Sequence, residues 1–65
     1  MELEDKKELY DKVLDYFMSS DNKDIFFEEL KKEIQVEDIF LVDTLEELIE
    51  DGEIYEPRDG VYRVL

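Results

Sequence analysis

Apolar residues in this chain recur first at helical spacing and then at strand spacing. Leu9, Tyr10, Val13, Tyr16 and Phe17 fall on one stripe at ~100° per residue, with Leu3 and Leu14 on its flanks. That spacing predicts a helix over residues 3–18, with Glu2, Glu4 and Asp5 in a first turn where the helix dipole favours acids. Ser19-Ser20-Asp21-Asn22 ends it in a loop. Ile25-Phe26 reads as a very short β-segment. Phe27, Leu30 and Ile34 then return to helical spacing, giving a second helix from Phe27 to Glu33 or Ile34. It has no clean N-cap, Asp24 being the nearest candidate. Gln35-Val36-Glu37 has the place of the turn in a helix-turn-helix.

A third helix is predicted over residues 38–51, burying Leu41, Val42, Leu45, Leu48 and Ile49. Asp43-Thr44-Leu45-Glu46 has the spacing of a capping box and offers a competing, later start. The longer helix is preferred because Leu41 and Val42 share a face with Leu45. Gly52 closes it, where a left-handed residue is least costly. Glu53–Glu56 and Val61–Leu65 then read as two strands rich in Ile, Val and Tyr, joined by Pro57-Arg58-Asp59-Gly60. Pro presets φ, Asp bonds its own backbone, and Gly supplies the positive φ that ends such a turn.

The predicted order is helix, short strand, helix, helix, strand, strand. A β-hairpin directly after the second helix of a helix-turn-helix makes the fold α+β, a winged helix, with residues 1–65 as one domain. The run Leu48-Ile49-Glu50-Asp51-Gly52, then Glu53-Ile54-Tyr55-Glu56-Pro57-Arg58 and Gly60-Val61-Tyr62-Arg63, resembles the C-terminal winged-helix domain of archaeal-type minichromosome maintenance (MCM) replicative helicases. The likeness is specific over residues 41–65, and over 1–40 it lies in the order of elements. Asp59 stands where many such sequences carry a second proline. The resemblance implies a regulatory domain of the DNA replication machinery, tethered behind an ATP-driven motor. Such a domain modulates ATPase and helicase activity and contacts initiator proteins of the origin-recognition type.

Composition narrows the chemistry. There is no Cys and no His, so neither a disulfide nor the commonest metal and acid–base side chain is available. No run is long and apolar enough for a membrane span or signal core, so an intracellular, cytoplasmic domain without membrane contact is expected. Ser19, Ser20 and Thr44 have no base partner in the pattern, and no Gly-rich phosphate loop or EF-hand spacing occurs. The chain is therefore expected not to be an enzyme by itself, and to need no cofactor or metal.

Charge is the strongest compositional signal: 21 acidic residues against 8 basic ones give a formal charge of −13. Between Lys32 and Arg58 there is no basic residue and there are ten acidic ones. Asp43, Glu46, Glu47 and Glu50 occupy the outer face of the third helix, where contacts to a duplex would have to form. Weak or no nucleic-acid binding is expected. The remaining route is the wing, through Arg58 at its tip and Arg63 on the outward side of the last strand.

A protein partner is the better expectation, either a helicase motor in cis or a replication initiator, with the domain a monomer in isolation. Ile39 and Phe40 lie ~120–140° from Leu45 by the helical period. They either fold back onto the first two helices or form an exposed apolar anchor inside an acidic rim. Tyr55, pointing out from the wing, is a second candidate contact. Tyr10 and Tyr16 are assigned to the core with hydroxyls reaching water, and Met18 to gap filling. Two rival readings remain: a free-standing winged-helix DNA-binding regulator, and an acidic DNA-mimic interaction module.

Overall fold

A computed structural model describes residues 6–21 and 23–65, so Leu3, the first-turn acids Glu2, Glu4 and Asp5, and Asn22 lie outside the described residues. The elements run α1 (Lys6–Met18), β1 (Ile25–Phe26), α2 (Phe27–Ile34), α3 (Asp38–Glu50), β2 (Ile54–Arg58) and β3 (Val61–Val64). The strands form one antiparallel sheet in the order β1-β3-β2. Three helices on a small antiparallel sheet, with the hairpin after α3, make a winged-helix arrangement.

The core draws on nearly every element. Val13 and Phe17 of α1, Ile25 of β1, Leu30 of α2, Leu41, Leu45 and Leu48 of α3, and Ile54 of β2 form one buried cluster. β3 closes it with Tyr62 and Val64, and the Tyr62 ring meets Phe17 edge-on at 6.5 Å. Without a staple, this cluster has to supply most of the stability of a 65-residue chain.

α3 is one continuous helix, so the capping-box start at Asp43 is not used. Thr44 is buried instead, its hydroxyl donating to the Phe40 carbonyl oxygen at 2.9 Å within the same helix. The helix ends in a Schellman arrangement: Glu53 N–H donates to the Leu48 carbonyl and Gly52 N–H to that of Ile49, both at 3.0 Å. Gly52 has φ +76° with open space where a Cβ would stand, so backbone conformation rather than crowding requires glycine there. The helix-turn-helix turn is closed by Gln35 at φ 58°, whose N–H donates to the Lys31 carbonyl. A Lys31–Asp38 ion pair at 2.9 Å spans the same turn.

Three expectations are corrected. Val42 is exposed, because Leu41, Thr44, Leu45 and Leu48 centre the buried arc about 110° away from it by the helical period. Met18, at the last turn of α1, is 61% exposed and fills no gap. Asp24 does not cap α2: the cap residue is Phe26, with no side-chain bond, while Asp24 turns to the wing arginines. Tyr10 and Tyr16 do pack against the core, and at its exposed edge their hydroxyls donate to carboxylates, Tyr10 to Asp51 at 2.5 Å and Tyr16 to Glu29 at 2.6 Å.

The wing also departs from its expected bounds. β2 runs through Pro57 to Arg58, leaving Asp59-Gly60 as the turn, with Gly60 at φ +79°. Tyr55 pairs with Arg63 and Arg58 with Val61, so β2 carries one residue more than β3 between those pairs. That bulge accommodates Pro57, which has no N–H to give a ladder, on an edge strand. It also returns Arg58 to the face of the sheet that Tyr55 occupies.

Candidate interaction surface

The site residues named above fall on three surfaces. Opposite the buried arc of α3 lies a solvent-facing stripe of Ile39, Asp43, Glu46 and Glu50, all exposed, with Val42 on its edge. Ile39 is 68% exposed and Val42 42%. Their apolar side chains are therefore set among carboxylates, with Glu47 half-buried on the far edge. Val42 belongs to this surface although the sequence reading placed it in the core. The signal was available, since taking the centre of the stripe between Leu41 and Leu48 rather than at Leu45 turns Val42 outward.

Phe40 is on the other flank of α3, about 90° from the buried arc. It lines an open groove of about 740 Å³ between the start of α1, the end of α2 and the start of α3. Leu9, Ile34 and Val36 complete its apolar lining, and Glu8, Lys12, Lys31 and Glu37 its charged rim. Phe40 is 46% exposed there. Adjacent in sequence, Ile39 and Phe40 thus serve different surfaces.

The third surface is the outer face of the sheet. Paired residues share a face, so Phe26, Val61, Arg58, Tyr55 and Arg63 stand together on it. Phe26 and Tyr55 are exposed, while Val61 between them is buried and apart from the main core cluster. Phe26 as an exposed aromatic was not anticipated; only its alternation with buried Ile25 signalled it. Both arginines face Asp24, Arg63 Nε at 3.2 Å and Arg58 at 3.8 Å from its two oxygens. The wing cations are thus partly occupied by an internal carboxylate.

The electrostatics of the remaining groups follow from neighbouring acids. Donation to Asp51 pushes the Tyr10 hydroxyl up to about 12, and donation to Glu29 does the same for Tyr16, with burial adding to both. Tyr62 is raised by burial, then by Glu56, Asp59 and Glu46. Lys31 is raised by its bond to Asp38. Among the described residues no cluster of three or more His, Cys, Asp or Glu side chains is placed to hold a metal ion, and no helix is long and apolar enough to cross a membrane.

The class this geometry defines is a winged-helix domain with an acidic second helix in its helix-turn-helix. No family model matches the chain, and a search of the curated proteins finds no match to it.

Proposed function

We propose that this chain is a non-catalytic accessory domain of an archaeal-type MCM replicative helicase, acting through protein contacts that modulate the motor or engage initiator proteins. The resemblance over residues 41–65 supplies the family. The observation that carries the mode of action is the outer stripe of α3, where exposed carboxylates surround Ile39 in the helix that would otherwise enter a DNA groove. A duplex repels such a stripe, whereas a protein surface of opposite charge is drawn to it.

The test begins with the reading frame and ends with rates. A helicase motor is expected upstream of residue 1 in the same frame. Removing these 65 residues should change its ATPase and unwinding rates several-fold with the oligomer intact. A frame without a motor, or rates indifferent to the deletion, would refute the assignment. The isolated domain should leave a duplex unshifted at low salt up to ~10⁻⁴ M, the weak end of ordinary non-specific affinity.

A further inference from the structure

We infer that the outer stripe of α3 docks a basic amphipathic segment of a protein partner, in which lysine or arginine side chains flank an apolar contact. The inference rests on the accessory-domain reading and specifies the chemistry of its partner.

Three features select this stripe and this occupant. Ile39 and Val42 sit one helical turn apart and are both exposed, so together they offer an apolar contact to a second element. Asp43, Glu46 and Glu50 flank them on the same side of the helix, and the chain holds no basic residue from Glu33 to Pro57. The complement is therefore apolar at its centre and cationic at its rim. A second copy of this chain would bring the same acidic stripe and another −13 of charge, which excludes self-association through this face.

The Phe40 groove is the contrasting case. Its rim carries Lys12 and Lys31 as well as Glu8 and Glu37, so it has no preferred partner charge. The outer sheet face is likewise balanced, its arginines held by Asp24. Of these three surfaces, as far as the described residues form them, the α3 stripe is the one that sets exposed apolar side chains among acidic ones. Thirteen residues at ~1.5 Å each make it about 20 Å long, enough for a few turns of a partner helix but short for a permanent interface. The contact is transient, with apolar groups setting residence time and carboxylates setting the rate of encounter.

The probe is a synthetic helical peptide of leucine and lysine at amphipathic spacing, titrated into the isotopically labelled 65-residue chain and followed by amide shifts and by stopped-flow association. Shifts should concentrate on residues 39–50 of α3. The Ile39→Ser/Val42→Ser double variant should weaken binding about ten-fold through faster dissociation. Glu46→Gln/Glu50→Gln should slow association and flatten its salt dependence. Phe40→Ala should leave the affinity unchanged. A peptide with serine in place of leucine that binds as tightly, or shifts centred on Leu9, Ile34 and Phe40, would overturn the site. Should the serine variant fail to fold, the glutamine pair decides the matter by itself, since its side chains are solvent-exposed. Peptide docking lost while motor rates still depend on the domain would sink this site and leave the accessory role standing. Docking retained while motor rates ignore the domain would do the reverse.

Discussion

Along the inner side of α3, Leu41, Leu45 and Leu48 are sealed from water by α1, α2 and the sheet; along its outer side, Ile39 and Val42 stand in solvent among Asp43, Glu46 and Glu50. The residues differ little in hydrophobicity, so composition does not separate the two sides. Phase does. An aliphatic side chain on the inner arc contributes the area it removes from water, whereas on the outer arc Ile39 remains 68% and Val42 42% exposed and each contributes less. Stability is therefore concentrated on one side of this helix, and the potential for encounter on the other.

Leu45→Ala should break the inner side outright. Leu45 is 1% exposed in the middle of the cluster, and truncating a buried leucine costs about 2–5 kcal/mol. A small domain without staples has little more than that in total. Loss of the cooperative thermal transition, or a drop in Tm well beyond ten degrees, is the expected result in a circular-dichroism melt. A shift of a few degrees would mean that the inner arc is centred elsewhere.

Alkali should loosen the same side more gently. Tyr10 ties α1 to Asp51, directly after α3, and Tyr16 ties it to Glu29 of α2. Both hydroxyls are raised from 10.0 to about 12, so the folded chain retains protons that the unfolded chain releases. Their contribution is complete below pH 10 and is lost as pH rises through about 12. Tm followed across that window should fall, and Tyr10→Phe/Tyr16→Phe should remove part of the fall. A double variant with the parent's pH profile would show that neither bond stabilises the fold.

How far the sequence made these sides legible depends on the residue. Helical spacing located Val13, Phe17, Leu30, Leu41, Leu45 and Leu48 because each is a large aliphatic or aromatic side chain on a stripe repeated over several turns. Gly52 and Gly60 marked the helix end and the wing turn because only backbone conformation distinguishes them. Val42 was misplaced since a valine is equally consistent with either side, and only the arc defined by its neighbours turns it outward. Asp24 and the tyrosine hydroxyls could not be read from spacing. Their partners are 13 to 41 residues away in the chain for the tyrosines, and on the hairpin for Asp24. The bulge that swings Arg58 towards Asp24 was hidden for the same reason, as it depends on strand register rather than on any local pattern.

Salt tests the outer side without a mutation. At −13 the folded chain repels itself, and the Debye length falls to about 3 Å at 1 M salt, so screening should raise Tm by a few degrees. Opposing this are exposed pairs such as Lys31–Asp38 and Arg63–Asp24, each worth about 0–1 kcal/mol. The repulsion among 21 acids should win. A Tm that falls with added NaCl would show that attractive pairs outweigh the acidic surface, and would weaken the case that α3 presents a strong field.

The smallest effect should come from the most conspicuous residues. Ile39→Ser and Val42→Ser each remove an aliphatic side chain from α3, as Leu45→Ala does, yet on the outer arc less apolar area is buried to begin with, and least at Ile39. Ile, Val and Ser have closely similar helix propensities, so the backbone is indifferent to the exchange. Each variant should change stability by about 0.5 kcal/mol or less, in either direction, as surface substitutions do. Phe40→Ala should cost more than either, because its ring rests partly against the α1–α2 groove, but far less than Leu45→Ala. The decisive comparison is the rank order Leu45, Phe40, Val42, Ile39 in melts under one condition, which follows rising exposure except that Phe40 has a groove to lean on. If Ile39→Ser were to cost even half of Leu45→Ala, the Ile39 side chain would have to be covered in the folded chain, and the apolar contact at the centre of the acidic stripe would not exist.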